Sequence, residues 1–214
     1  MLNLFRQEVE LFTLFLKNYF QEMFVFFLAT LFLVLSWYHP IGSSLILSHS
    51  IYYFIFPILT ILIILRKNPW DFGLRIGNIK LWSFYIIITI IIGIPVLYLS
   101  SYFPSLNQYY TANFNFYHFL IKTLPYLFAW EYLLRGFLLF GLKNKLKEAS
   151  ILVQMAPFVL LHLGKPGIET ISCIITGTWL GYVAYRGKSF WPAFIIHVFI
   201  NFTLSYFINY QSFV

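Results

Sequence analysis

Acidic residues are scarce in this 214-residue chain: Asp and Glu together number seven, and the sole aspartate is Asp71. One aspartate excludes any intramembrane chemistry that needs a pair of them. The single cysteine, Cys173, excludes an intrachain disulfide, and its place in an apolar run reads as structural. Charged residues of both signs make up 10% of the chain, against roughly 25% in soluble domains, which excludes a water-soluble globule and a disordered chain alike. What is abundant is apolar surface: 60% of residues are hydrophobic and 22% aromatic. That is enough for six or seven spans of about 20 residues, with no room for a separate soluble domain. No cleavable signal peptide is expected, because Glu8, Glu10 and Glu22 interrupt the first residues and no small-residue cleavage site follows.

The expected architecture is all-α, a polytopic transmembrane helix bundle of about seven spans. Residues 1–22 form an additional amphipathic helix at the membrane surface. There Asn3, Arg6, Gln7, Glu10, Thr13, Lys17 and Gln21 recur at helical spacing between Leu4, Phe5, Leu11, Phe12, Phe15 and Phe20. Spans are expected at about 23–38, 44–65, 81–103, 117–142, 148–163, 168–185 and 190–209, separated by turns rich in Gly, Pro and Asn. The fifth is the shortest, its apolar part running only from Ile151 to Leu163. With the N-terminus inside, eleven of the 14 Lys and Arg residues fall in cytoplasmic segments, from Arg6 and Lys17 to Arg186 and Lys188, and Lys165 alone falls outside. The net charge of +7 is thereby explained by topology, with no nucleic-acid partner. An integral protein of a bacterial cell membrane, N-terminus cytoplasmic and C-terminus outside, is the expected setting. In the sixth span Gly177 and Gly181 make a small-xxx-small pair for close helix packing.

Charge within a span is costly, about 2.5–3.5 kcal/mol on the insertion scale, so the few such residues carry the information. Lys122 lies near a span end and can snorkel. The others are Glu131, Arg135, His162, Glu169 and His197, with Asn201 as a neutral companion. Glu131 and Arg135 are four apart on one helix face, as are His197 and Asn201, and Phe158 and His162. Each has a structural explanation: a buried ion pair, an interhelical hydrogen-bond pair, a capped histidine, and for Glu169 a carboxylate at a helix N-terminus. Taken together they also describe a polar chamber. A carboxylate held ionised by an arginine, two imidazoles and an amide are the parts for attack of water on an amide carbonyl. No His-Glu-x-x-His and no Gly-x-Ser-x-Gly occurs, so such chemistry would rest on glutamate and histidine. A proton or ion pathway through the same groups is a further class.

Three motifs carry a resemblance: Trp130-Glu131-x-x-x-Arg135-Gly136, Phe158-x-x-x-His162 and His197-x-x-x-Asn201. In order and spacing they resemble the signatures of the CPBP family of membrane proteins, which includes type II CAAX prenyl endopeptidases, lysostaphin-resistance proteins and some bacteriocin self-immunity proteins. The likeness covers residues 117–205, and Asp71 to Arg75 is similar to the family's upstream loop. It implies an intramembrane endopeptidase in which Glu131 and His162 activate water, His197 and Asn201 stabilise the oxyanion, and Arg135 holds the carboxylate. The partner would be a membrane-associated peptide or protein substrate in the lipid bilayer. The mechanism would be metal-free or use a single zinc held by Glu131, His162 and His197. One departure stands out: Trp130 occupies the position of the family's first glutamate, and Glu169 is the candidate for a second carboxylate. A bacterial branch is similar in both the Trp-Glu form and the Gly-Lys-Pro segment. The alternative is a non-catalytic protein of the same fold, acting in bacteriocin-type immunity or as a membrane partner.

Overall fold

Apolar runs broken by Pro, Gly and Asn fold here into helices and turns, as backbone groups in lipid require. The structure, a computed structural model, describes residues 1–111 and 114–210. Among them are eight helices, counting contiguous helical turns as one, and no strand. The expected all-α bundle is borne out. The helices are α1 Leu2–Tyr38, α2 Leu45–Ile64, α3 Ile79–Ser100, α4 Pro104–Tyr110, α5 116–146, α6 Ala149–Leu160, α7 Gly167–Gly187 and α8 Trp191–Tyr210.

Residues 2–38 fold as one helix with a kink at Tyr19, where φ is −121° and ψ 15°. The first 20 residues lie exposed outside the bundle. Four helices, α1, α2, α3 and α8, are long and apolar enough to cross a bilayer. α6 has 12 residues, about 18 Å at ~1.5 Å per residue, well short of a hydrocarbon core of about 30 Å. α5 can carry the Glu131–Arg135 pair because protein encloses that stretch, whereas α7 is buried along one face, with Ile171 and Ile175 exposed on the other. α5 is the axis of the fold: every residue from Glu131 to Leu139 is buried, and α1, α2, α6, α7 and α8 all pack on it. α3 is its opposite, with no buried residue, lying on the outside of α7 and α8.

Small residues set the close approaches. A Cβ on Gly141 of α5 would stand 2.6 Å from Val25 of α1, and one on Gly181 of α7 would stand 2.2 Å from Nε2 of Gln154 on α6. That amide donates to the Gly177 carbonyl at 2.9 Å, so the small-residue stripe of α7 receives α6 and its polar side chain. At the expected cytoplasmic end, Gly77 has φ of +71° and lies so close to the Gly187 carbonyl that a Cβ would overlap it. There the Asn78 N–H donates to that same carbonyl at 2.9 Å, tying the start of α3 to the end of α7.

Candidate active site

The site is built on α5 by a change of helical pitch. Glu131 ends an ordinary α-helical stretch, and Tyr132–Leu138 follow as a wide π-type stretch, a feature often found at functional positions. Arg135 donates from Nη1 to Oε1 of Glu131 at 2.8 Å, with both side chains fully buried. From α8, Nδ1 of His197 donates to the same oxygen at 2.7 Å. One carboxylate oxygen therefore joins three motif residues from two helices, and Oε2 has no partner among the described residues.

The second histidine is oriented by its own helix. His162 lies just past α6, where Nδ1 donates to the Phe158 carbonyl at 2.7 Å. Its own carbonyl accepts from the Thr170 hydroxyl at 2.8 Å. The turn that sends the chain back into α7 uses Gly164 at φ +90°, a left-handed geometry that suits glycine. Phe158 links the motifs: its ring lies 4.1 Å under the Arg135 guanidinium and 4.5 Å from the His162 ring. The two imidazoles are 6.5 Å apart between centroids. Each has Nδ1 engaged by an acceptor, which leaves Nε2 as the basic nitrogen of the neutral ring.

A cavity of about 460 Å³ opens beside these rings, between α3, α4, α7 and α8. His162, Glu169, His197 and Asn201 line it, while its remaining wall is largely Ile, Leu, Val and Phe. Glu131 and Arg135 are not part of that wall. They stand behind His197, so the carboxylate touches the imidazole and not the cavity. Asn201 uses its Nδ2 on the His197 carbonyl at 3.1 Å, one turn back on α8, and the amide borders the cavity. Glu169 is the cavity's own carboxylate, held by Lys165 at 2.8 Å and by the Tyr110 hydroxyl at 2.8 Å. Burial first and this carboxylate second push the Tyr110 phenol pKa far up, so it remains a donor.

The structure thus places five of the six sequence-derived residues in direct contact with the cavity or one hydrogen bond from it: Glu131, His162, Glu169, His197 and Asn201. Arg135 reaches it through Glu131 and the Phe158 ring. Glu131 accepts from Nδ1 of His197, and among the described residues no three His, Cys, Asp or Glu side chains are gathered for a metal.

Trp130 and Glu131, neighbours on one helix, serve different histidines. The Trp130 ring packs edge-on to His162, 6.0 Å between centroids, and Glu131 reaches His197. Behind Trp130 lies a buried aromatic group that the sequence pattern did not single out: His49 stacks on Tyr53 at 4.7 Å and meets Tyr126 edge-on at 4.8 Å. The only sequence signal for His49 was a histidine inside an apolar run. Trp130 is therefore packed as a core residue, in surroundings that offer a carboxylate no cation.

Residues 111–203 match the family model described as Rce1-like, type II CAAX prenyl endopeptidase Rce1-like. The matched segment runs from just after α4 into α8 and contains all three motifs. No curated protein and no solved structure matches the chain.

Proposed function

We propose, from the match of residues 111–203 to the Rce1-like type II CAAX prenyl endopeptidase model, that this integral membrane protein cleaves a peptide bond of a membrane-associated substrate. The observation that carries the mechanism is the 2.7 Å contact between Glu131 Oε1 and His197 Nδ1, with His197 facing the cavity and the carboxylate behind it. The arrangement follows the logic of an imidazole base oriented by a buried carboxylate.

In this reading His197 Nε2 takes a proton from a water in the cavity while the hydroxide adds to the scissile carbonyl carbon. Glu131 fixes the ring's tautomer and stabilises the imidazolium, and Arg135 keeps Glu131 ionised in the low-dielectric interior. His162 Nε2 accepts the water's second hydrogen and so aims it. The amide of Asn201 donates to the developing oxyanion. As the C–N bond breaks, His197 Nε2 returns its proton to the leaving amine. This assignment moves the base from the Glu131 and His162 pair expected from the resemblance to His197, because Glu131 does not border the cavity. Glu169 is kept as a wall residue that positions Tyr110 and Lys165. The apolar cavity wall favours an apolar peptide segment as substrate, and a bacterial cell membrane with the N-terminus cytoplasmic is the proposed location.

The test compares the membrane proteome of cells lacking the protein with cells carrying Asn201→Ala or Glu131→Gln. Loss of an oxyanion donor costs roughly 10²–10³ in turnover, so both variants should accumulate the precursors seen in the deletion strain. The Asn201 variant keeps the buried ion pair and so separates catalysis from folding. Normal processing in a stably expressed Glu131→Gln strain would overturn the reading. The mechanism uses no metal, so purified protein stripped by a chelator should process those precursors at the parent rate; loss of activity restored by zinc would refute that part.

Trp130 in the place of a carboxylate supports a second reading, a non-catalytic immunity or partner protein. Full protection by a His197→Ala variant would favour it.

A further inference from the structure

We infer that the kink of α1 forms, with the ends of α2 and α5, a binding site for the headgroup of an anionic phospholipid. α1 has 37 residues, about 55 Å at ~1.5 Å per residue, nearly twice the hydrocarbon thickness of about 30 Å. The part from the kink at Tyr19 to Tyr38 spans about 30 Å by the same rise and is the apolar part. Tyr19 and Gln21 therefore lie where hydrocarbon gives way to headgroups, and the residues before them are surplus to the crossing.

Two lysines from other segments reach that point, and a third lies on α1 beside it. Lys67, just beyond α2, donates to the Gln21 amide oxygen. Lys145, near the end of α5, places its ammonium 5.3 Å over the Tyr19 ring. Lys17 lies on α1 two residues before the kink. Gln21 is itself pinned, donating to the Gly141 carbonyl of α5 at 2.7 Å, so the geometry is set by the fold and not by the lysines. All three are exposed, and none forms an ion pair among the described residues. Their partners are a neutral amide and the face of a ring. Glu10 is taken by Arg6, and Glu22 points about 100° away from Gln21 around the helix.

Like charges brought together with no carboxylate call for an external anion. The occupant is a lipid because of depth and surroundings: Phe15, Tyr19, Phe20 and Met23 are exposed around the cluster, offering apolar contact to acyl chains directly beside the ammonium groups. Lysines at a membrane surface attract anionic headgroups in this way.

The experiment uses full-length protein in detergent, titrated with short-chain phosphatidylglycerol, short-chain phosphatidylcholine or inorganic phosphate, and follows the thermal unfolding midpoint and lipid retention by native mass spectrometry. Phosphatidylglycerol should be retained and should raise the midpoint, and the other two should do neither. The triple variant Lys17→Gln, Lys67→Gln, Lys145→Gln should weaken retention by about tenfold or more. Lys80→Gln with Lys188→Gln, charge removals elsewhere at the same end, should leave it unchanged. Equal retention of the two lipids, an unchanged preference in the triple variant, or the same shift with phosphate would each overturn the proposal. If the triple variant proves too unstable to purify, Lys145→Gln alone carries the comparison. Peptidase activity plays no part in the readout.

Discussion

Glu131 accepts from Arg135 and His197 with one oxygen, and its neighbour Trp130 fills an aromatic pocket. The two positions are therefore not interchangeable sites for a carboxylate. Trp130→Glu, which would create the Glu-Glu pair of the motif this segment resembles, buries a charge among His49, Tyr53 and Tyr126. We expect it to lower stability by about 3 kcal/mol or more and to give no gain in processing; an unchanged melting temperature in detergent would contradict this. Arg135→Met should be milder for packing but leaves Glu131 buried with only an imidazole to answer it. Its expected cost is about 3–5 kcal/mol, read from the same melting curves. The sequence displayed these residues because charge is rare in the chain and helical spacing pairs positions four apart. It could not display which histidine each neighbour meets, because that depends on how α6 and α8 are placed around α5. His49 was invisible for a related reason: a lone histidine in an apolar run has no spacing partner.

Among the elements, α6 and α7 show how packing reaches the chemistry. A Cβ on Gly177 would stand 2.6 Å from the Phe158 ring, and Phe158 both underlies Arg135 and orients His162 through its carbonyl. Gly177→Ala should therefore cost about 1–3 kcal/mol by overpacking and lower turnover beyond what the loss of folded protein explains. A pure folding defect, with normal turnover per folded molecule, would show that the ring is not coupled to the histidine. Element types and most limits were readable from apolar runs and turn residues. The shortness of α6 was foreshadowed by the brief run from Ile151 to Leu163. The wide turn after Glu131 left no trace in the sequence, since a π-type stretch is imposed by the neighbours that the helix must accommodate. The unbroken course of α1 through residues 19–22 was hidden by the switch there from amphipathic to uniformly apolar pattern, which read as a boundary.

For the whole molecule, lipid exposure sorts the helices. Those bordering lipid along most of their length are recognisable by composition, whereas α5 buries the Glu131–Arg135 pair where other helices enclose it. The first 18 residues belong to neither group and make no core. Removing residues 2–16 should change the thermal midpoint by only a few degrees in detergent, because little apolar area is exposed by the cut. A drop comparable to a core substitution would mean that this helix supports the bundle. Reporter fusions should place the ends of α1, α3 and α8 on opposite sides as the distribution of lysine and arginine directs.

Cys173 is the chain's sole thiol, and it lies in the wall of the cavity shared with His162 and His197. Evolution has thus left one native attachment point for a spectroscopic tag in the chamber itself, with no background labelling elsewhere. Its rate of alkylation by small membrane-permeant reagents becomes a footprint of whatever fills that space, so that slower labelling in the presence of a peptide would report occupancy without any turnover.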